Sequence, residues 1–367
     1  MARLGDICEK GTSNVAQKDL SNKDGGYPIY GASGLIKKVN FYHQDKPYIA
    51  IVKDGAGAGR VMQLPAKSSV IGTLQYIIPK NNFCIGYLAY AIEHMNLSKY
   101  CLGAAIPHIY FKDYCNEILP DYSLAEQQRI ASQLDKISHL ITLRKQQLSK
   151  LDELVKSRFV EMFGDGEVLG VRSQGLGSRG DKWPMVKIEE VGFITSGGTP
   201  SRARPEYYNG KIRWYSAGEL NSLYLPDSVE HITEKALQES SAKLFKKGSL
   251  LIGMYDTAAF KMGILTEDAS SNQACANLTP YEDYNVVWLY YLFEKMKPIF
   301  LKERQGVRQK NLSLSKIKNF QIPIVPLSLQ REFAAFVAKV DKLAFKAKAS
   351  LEKLETLKKA MMQKYFN

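Results

Sequence analysis

Two long stretches of this chain place apolar residues at alternating steps of four and three. In the first, the steps fall on Ile130, Leu134, Ile137, Ile141, Arg144, Leu148, Leu151, Val155, Arg158 and Met162. In the second, they fall on Phe333, Val337, Val340, Ala344, Ala347, Leu351, Leu354, Lys358, Met361 and Tyr365. A spacing that averages 3.5 keeps one seam of a helix turned towards a partner helix, so the pattern predicts a coiled-coil helix of about four heptads in each stretch. Two separate amphipathic helices lying on separate cores would leave the same pattern; equal length and period favour a pair. Each helix of roughly 37 residues would be about 55 Å long, more than the diameter of a small domain. Pro120 and Pro326 precede them and cannot continue a helix backwards.

Elsewhere the apolar runs are short. "YIAIV" at 48–52, "QYIIP" at 75–79 and "SLLIGMY" at 249–255 are bounded by glycine, proline and lysine and read as strands. "IGYLAYAIEHM" at 85–95 and "VVWLYYLFEKMK" at 286–297 read as buried helices. The expected class is α+β: two mixed front domains, each followed by a long helix.

The order of these elements is written twice. At an offset of 203 residues, Pro120 falls on Pro323, Leu124 on Leu327, Gln127 on Gln330, Leu151 on Leu354 and Phe163 on Phe366. The match runs without a gap from about Gly103 to the C-terminus. Near the start, "LGDI" at 4–7 resembles "IEEV" at 188–191, an offset of 184. One unit is therefore duplicated, with matched rear parts and diverged front parts. Between the copies lies a glycine-rich stretch without aromatic residues, which reads as a flexible linker. The expected division is 1–115 and 183–318 for the front domains, 116–163 and 319–367 for the helical regions, and 164–182 for the linker. If a two-fold axis crosses the helical rod, the two helices run antiparallel.

Charge narrows the partners. Fifty Lys and Arg against 37 Asp and Glu give a net charge of +13, which suits a polyanion such as nucleic acid. Solubility alone would be the plainer use of that charge. The cysteines at 8, 84, 101, 115 and 275 form no CxxC pair, so they lack a zinc or redox spacing and suggest free thiols in a reducing cytoplasm. The opening "MARLGDICEK" has no apolar signal-peptide core, and no apolar run is long enough to span a bilayer.

Catalytic motifs are missing. There is no GxxxxGK[ST], no HExxH, no acid-x-Lys and no Asn-Pro-Pro. "DGAGAG" at 54–59 reads as a turn rather than a nucleotide loop. No resident metal or cofactor is expected.

What remains is a recognition surface. "SGGTPSRARPEYYNGKIRW" at 196–214 mixes hydroxyls, three arginines and aromatics, which suit phosphate and base-edge contacts. Its candidates are Ser196, Thr199, Ser201, Arg202 and Arg204, with Tyr255 from the following strand run. "LKERQGVRQKNLSLSKIK" at 301–318 adds Arg308, Lys310 and Asn311. In the first copy Lys53 and Arg60 flank the glycine run; Asp54, His108, Tyr30 and Ser33 complete that set. Each basic group could equally be a solvated face.

In order and architecture the chain resembles specificity subunits of type I restriction-modification systems. "YPIYGASGLI" at 27–36, "VKDGAGAGRV" at 52–61, "SGGTPSR" at 196–202 and "RQKNLSLSKIKNFQIPIVPLSLQREF" at 308–333 carry the resemblance. At 105–109 the first copy departs from the pattern, with "AIPHI" where the second has "RQKNL". The resemblance implies two target-recognition domains, each reading one half of a split, asymmetric double-stranded DNA sequence, with the helices fixing the gap. It implies a non-catalytic subunit that docks two methylation subunits and, in some complexes, restriction subunits. S-adenosylmethionine, ATP and Mg would belong to those partners. Ile130, Leu134, Ile137, Ile141, Leu148, Leu151, Phe333, Val337, Val340, Leu351 and Leu354 are the coiled-coil and partner-binding candidates. The alternative from another class is a self-contained DNA methyltransferase or nuclease with an unrecognised site.

Overall fold

The computed structural model describes residues 1–80, 83–103, 107–164, 183–304 and 311–367. The expected linker at 164–182 lies, apart from Gly164, outside the described residues. Four helices organise the chain: α1 (Ile85–His94), α2 (Leu124–Phe163), α3 (Val286–Phe300) and α4 (Leu327–Phe366). Helices α2 and α4 have 40 residues each, so each is about 60 Å long. Each starts where its proline-bearing turn ends. The Ser123 hydroxyl accepts from the Glu126 amide at 3.3 Å, and the Pro326 carbonyl accepts from the Leu329 and Gln330 amides. Helix α3 runs one turn past its expected end at Lys297 and carries Pro298 inside it.

The residues form two compact units, Met1–Gln147 with Lys346–Asn367, and Leu148–Phe345. Both long helices contribute to both units, so each unit holds the beginning of one helix and the end of the other.

In the first unit a four-stranded antiparallel sheet has the order Cys8–Thr12, Leu74–Pro79, Tyr48–Val52, Val61–Leu64. The expected strand "YIAIV" is its inner strand and is buried at all five positions, which is why it reads as an unbroken apolar run. A three-stranded sheet of Gly34–Val39, Asp24–Gly31 and Ser69–Val70 stands beside it. One core joins Ile49, Ile51 and Ile77 to α1, to Ile130, Ala131 and Leu134 of α2, and to Met362, Tyr365 and Phe366 of α4. The two long helices run antiparallel here: Gln133 accepts from the Tyr365 hydroxyl at 3.1 Å, Arg144 donates to Ser350 at 3.2 Å, and Lys145 pairs with Glu355 at 2.9 Å.

The second unit repeats the plan with a longer front. Its five-stranded sheet has the order Gly192–Ser196, Cys275–Pro280, Leu250–Gly253, Met262–Ile264, Asn221–Tyr224. A second sheet orders Glu230–Ile232, Tyr208–Tyr215 and Ser270–Ser271. Its main core joins α3 to Val155, Phe159 and Phe163 of α2 and to Phe333, Val337 and Val340 of α4. Phe159 and Phe163 sit edge-on to Phe333, and Arg158 reaches Glu332 at 3.0 Å, again antiparallel. Burying a large aliphatic or aromatic side chain is worth about 1.5–3 kcal/mol; an exposed ion pair is worth about 0–1. The apolar seam therefore holds the helices, and the ion pairs border it.

In each unit the segment entering the front domain pairs with the segment leaving it. Ala2 lies opposite Leu119, and Val186 opposite Ile322. Those pairs reproduce both repeat offsets, 184 at the front and 203 at the rear.

Candidate nucleic-acid interface

In the first unit the buried strand Tyr48–Val52 ends by delivering Lys53 and Asp54 to one edge of the sheet. The Lys53 carbonyl accepts from the Ile109 amide at 2.9 Å, and Gly55 donates to the Pro107 carbonyl at 2.8 Å. These bonds place His108 beside Asp54, and the His108 Nδ1 meets an Asp54 carboxylate oxygen. Lys53 holds the other Asp54 oxygen at 2.7 Å. Tyr110 stands edge-on to the His108 ring at 4.2 Å between centroids. The glycine run is a turn, with Gly55 at φ +89°, a conformation that side chains disfavour. It carries the chain round to Arg60, whose guanidinium donates to the Ala32 carbonyl at 2.8 Å. That bond ties in the turn holding Ser33 and the strand holding Tyr30. Lys53, Asp54 and His108 thus meet although they come from separate stretches of sequence, and Arg60 is tied to the turn that carries Ser33.

In the second unit the pair Gly197–Gly198 is fixed by crowding. A Cβ on Gly198 would lie 2.0 Å from the Ser241 carbonyl oxygen, and one on Gly197 2.2 Å from that of Ser271. Trp214 donates its indole N–H to the Gly198 carbonyl at 3.0 Å. The Ser196 carbonyl accepts from Lys243 at 3.1 Å, and the Thr199 hydroxyl bonds Gln273. Ser201 is exposed and its carbonyl accepts from the Arg204 amide. Tyr255 is exposed just after the strand Leu250–Gly253. The neighbouring Met254 carbonyl accepts from the Leu312 amide at 2.8 Å, which brings Asn311 to the same edge. Arg308 and Lys310 lie outside the described residues.

Two arginines of this loop, Arg202 and Arg204, are paired with carboxylates of the same unit. Arg202 forms a two-bond fork with Glu230, at 2.5 and 2.7 Å, over the rings of Tyr208 and Trp214. The fork pushes the Arg202 pKa up and holds the Glu230 carboxyl below its ordinary value. Arg204 bonds Glu239 at 3.0 Å and the Tyr207 hydroxyl at 2.6 Å. Their charges are offset within the domain, because a guanidinium close to a carboxylate pairs with it in the absence of another anion. Sequence reasoning missed Lys243, Gln273, Glu230 and Glu239, which order this loop; their distance along the chain left no local signal.

The two copies share one device. Ile109 N–H to Lys53 carbonyl in the first is matched by Leu312 N–H to Met254 carbonyl in the second. The side chains around that shared bond differ: Lys53, Asp54 and His108 in one, Tyr255 and Asn311 in the other.

The coiled-coil candidates go to the seam. Ile130, Leu134, Ile137, Phe333, Val337 and Val340 are buried, and Ile141, Leu148, Leu151, Leu351 and Leu354 are half-buried. A side chain buried in the seam leaves partner contact to other positions. The exposed apolar positions of the long helices are Leu124, Leu143, Val160 and Phe345, together with Leu140, Leu154, Leu343 and Leu357, these last four between 43% and 52% accessible. The last four form two pairs at the 203-residue offset, each one residue before a seam position. In the first unit Leu140 of α2 and Leu357 of α4 lie at about the same level of the antiparallel pair. In the second, Leu154 and Leu343 do.

Among the described residues no cluster of three or more His, Cys, Asp or Glu could hold a metal ion. All five cysteines are free, and burial pushes the thiols of Cys8 and Cys275 up to about 12, away from the nucleophilic thiolate. Among the described residues no helix is long and apolar enough to cross a membrane.

Fold and surface together define a tandem two-module protein with an antiparallel helical pair in each unit. The chain belongs to the type I restriction modification DNA specificity domain family, whose sequence profile matches residues 1–153 and 180–356. It is 29% identical to the type I restriction enzyme MjaIX specificity subunit of Methanocaldococcus jannaschii over 189 residues, half of this chain and 44% of that protein. It is 26% identical to the EcoR124I/EcoR124II specificity subunit of Escherichia coli over 237 residues, 61% of this chain and 54% of that one. The chain thus spans about half the length of these curated relatives. In fold it is similar to the type I restriction-modification S subunit from M. genitalium, with TM-score 0.66, 15% identity, and coverage of 100% and 95% of the two chains. A chain solved for complex assembly and conformational transition of the type I R-M system gives TM-score 0.54 at 17% identity, covering 99% and 96%.

Proposed function

We propose that this chain is a DNA-sequence-specificity subunit that reads a bipartite, asymmetric double-stranded target, one half with each unit. The observation that carries this reading is the shared edge. One backbone bond holds the corresponding loops in both units, and different polar side chains surround it. A common frame with unlike side chains suits two unlike half-sites. The net charge of +13 supports a polyanionic partner, and the curated relatives are specificity subunits.

The subunit itself is non-catalytic in this reading. Chemistry, with S-adenosylmethionine, ATP and Mg, belongs to methylation and restriction subunits. The exposed leucine pairs support two copies of the same methylation subunit: each unit offers one leucine from each long helix, in an arrangement written twice. The helical pair acts as the spacer between half-sites.

The test is to map methylated positions in DNA from cells expressing this chain with its methylation partner. The expected result is one motif with two unlike halves and a fixed gap. A motif with identical halves, or methyl transfer by the purified chain alone, would sink the reading.

A further inference from the structure

Two buried glutamines with matching surroundings lie outside the recognition loops. Gln127 and Gln330 are each 1% exposed, in the first turns of α2 and α4. The Gln127 side-chain oxygen accepts from the Cys84 amide at 2.8 Å, and its nitrogen donates to the Tyr122 carbonyl at 2.8 Å. The Gln330 oxygen accepts from the Asn285 amide at 2.8 Å, and its nitrogen donates to the Val325 carbonyl at 2.8 Å. Cys84 and Asn285 are the residues that cap the N-termini of α1 and α3. Each glutamine therefore fastens three things together: the front-domain helix, the turn out of that domain, and the spacer helix.

Packing alone does not call for this arrangement. A leucine or methionine of similar size would fill the space without the penalty of a buried amide. An amide with both ends bonded supplies direction instead, since hydrogen bonds weaken steeply when bent and apolar contacts do not. The neighbouring polar tie differs between the copies. In the first unit Tyr87 of α1 donates to the Pro120 carbonyl at 2.6 Å. In the second, Trp288 of α3 is fully buried and its indole N–H meets no partner among the described residues. The glutamine clamp is the tie that both units keep.

We propose that Gln127 and Gln330 are positioning residues that fix the angle of each reading domain on its spacer helix, and so set how strictly the complex measures the gap between half-sites. This rests on the bipartite reading proposed above. The test uses the chain assembled with its methylation subunits and DNA carrying the mapped target, with the gap native, one base pair shorter or one longer. Gln127→Met and Gln330→Met remove both hydrogen bonds and keep the volume. The wild-type complex should prefer the native gap. Each variant should lose about tenfold of that preference, on the scale of one or two net hydrogen bonds, while the bases preferred in each half stay the same. Folded variants with undiminished gap preference would overturn the proposal. So would variants that fail to fold together with a Gln127→Glu chain that folds and keeps the preference, because the donor bond would then be dispensable. Failure of both substitutions to fold would assign the glutamines to stability alone and also overturn it. A wild-type complex indifferent to the gap would defeat the bipartite reading itself.

Discussion

Arg202 shows how one side chain can be both recognition candidate and structural part. Its guanidinium lies 4.5 Å from the Tyr208 ring centre and forks onto Glu230. The bond lowers the Glu230 pKa below its ordinary 4.5. A carboxyl with a depressed folded-state pKa contributes stability above its unfolded value and loses it as pH falls through the folded value. Glu230→Gln should therefore flatten the acid limb of stability as pH falls through and below the ordinary value of 4.5. The side chain is 40% exposed, so screening keeps the effect below about 1 kcal/mol. Urea unfolding midpoints of both chains across that range measure it, and parallel profiles would show that the fork adds nothing. The residue scale is also where the sequence hid most. Lys53, Asp54 and His108 were each visible as polar loop residues, but their meeting depends on a bridge across 54 positions between Asp54 and His108. Glu230 lies 28 residues from Arg202, beyond any local pattern.

At the scale of elements, the long helices were the most legible feature, because a 3.5-residue apolar period sustained over four heptads is characteristic of a helix packed along another helix. Strand runs and the buried helices were visible for the same reason of patterning. Strand order was not: the neighbours of Tyr48–Val52 come from later positions in the chain, and pairing depends on packing that periodicity does not encode. The positions beside the seam became legible only once antiparallel register put Leu140 level with Leu357. The helices support a mechanical prediction. One heptad inserted into both α2 and α4, at facing positions, preserves the seam and adds about 10 Å to each helix. That corresponds to roughly three base pairs at 3.4 Å each. Methylation mapping should find the same two half-sites with a longer gap. An unchanged gap would show that the helical pair does not set it.

At the scale of the molecule, duplication with unequal divergence makes the sharpest demand. The rear parts match without a gap, while the second front part is about 19 residues longer, the difference between the offsets of 203 and 184. If each front domain reads its own half-site, the halves must be separable by exchange. Replacing residues 1–112 with the reading domain of another family member should change one half of the methylated motif and leave the other half and the gap as they were. The exchange has a structural condition. Leu4 donates to the Glu117 carbonyl and Ala2 pairs with Leu119, so the incoming domain must bring a first strand that fits the retained segment at 116–119. It must also present a helix start able to donate to Gln127, as Cys84 does. A chimera meeting both conditions that altered both halves of the motif would mean that reading is shared between the units. One that altered only the gap would mean that the exchanged domain positions the complex and reads nothing.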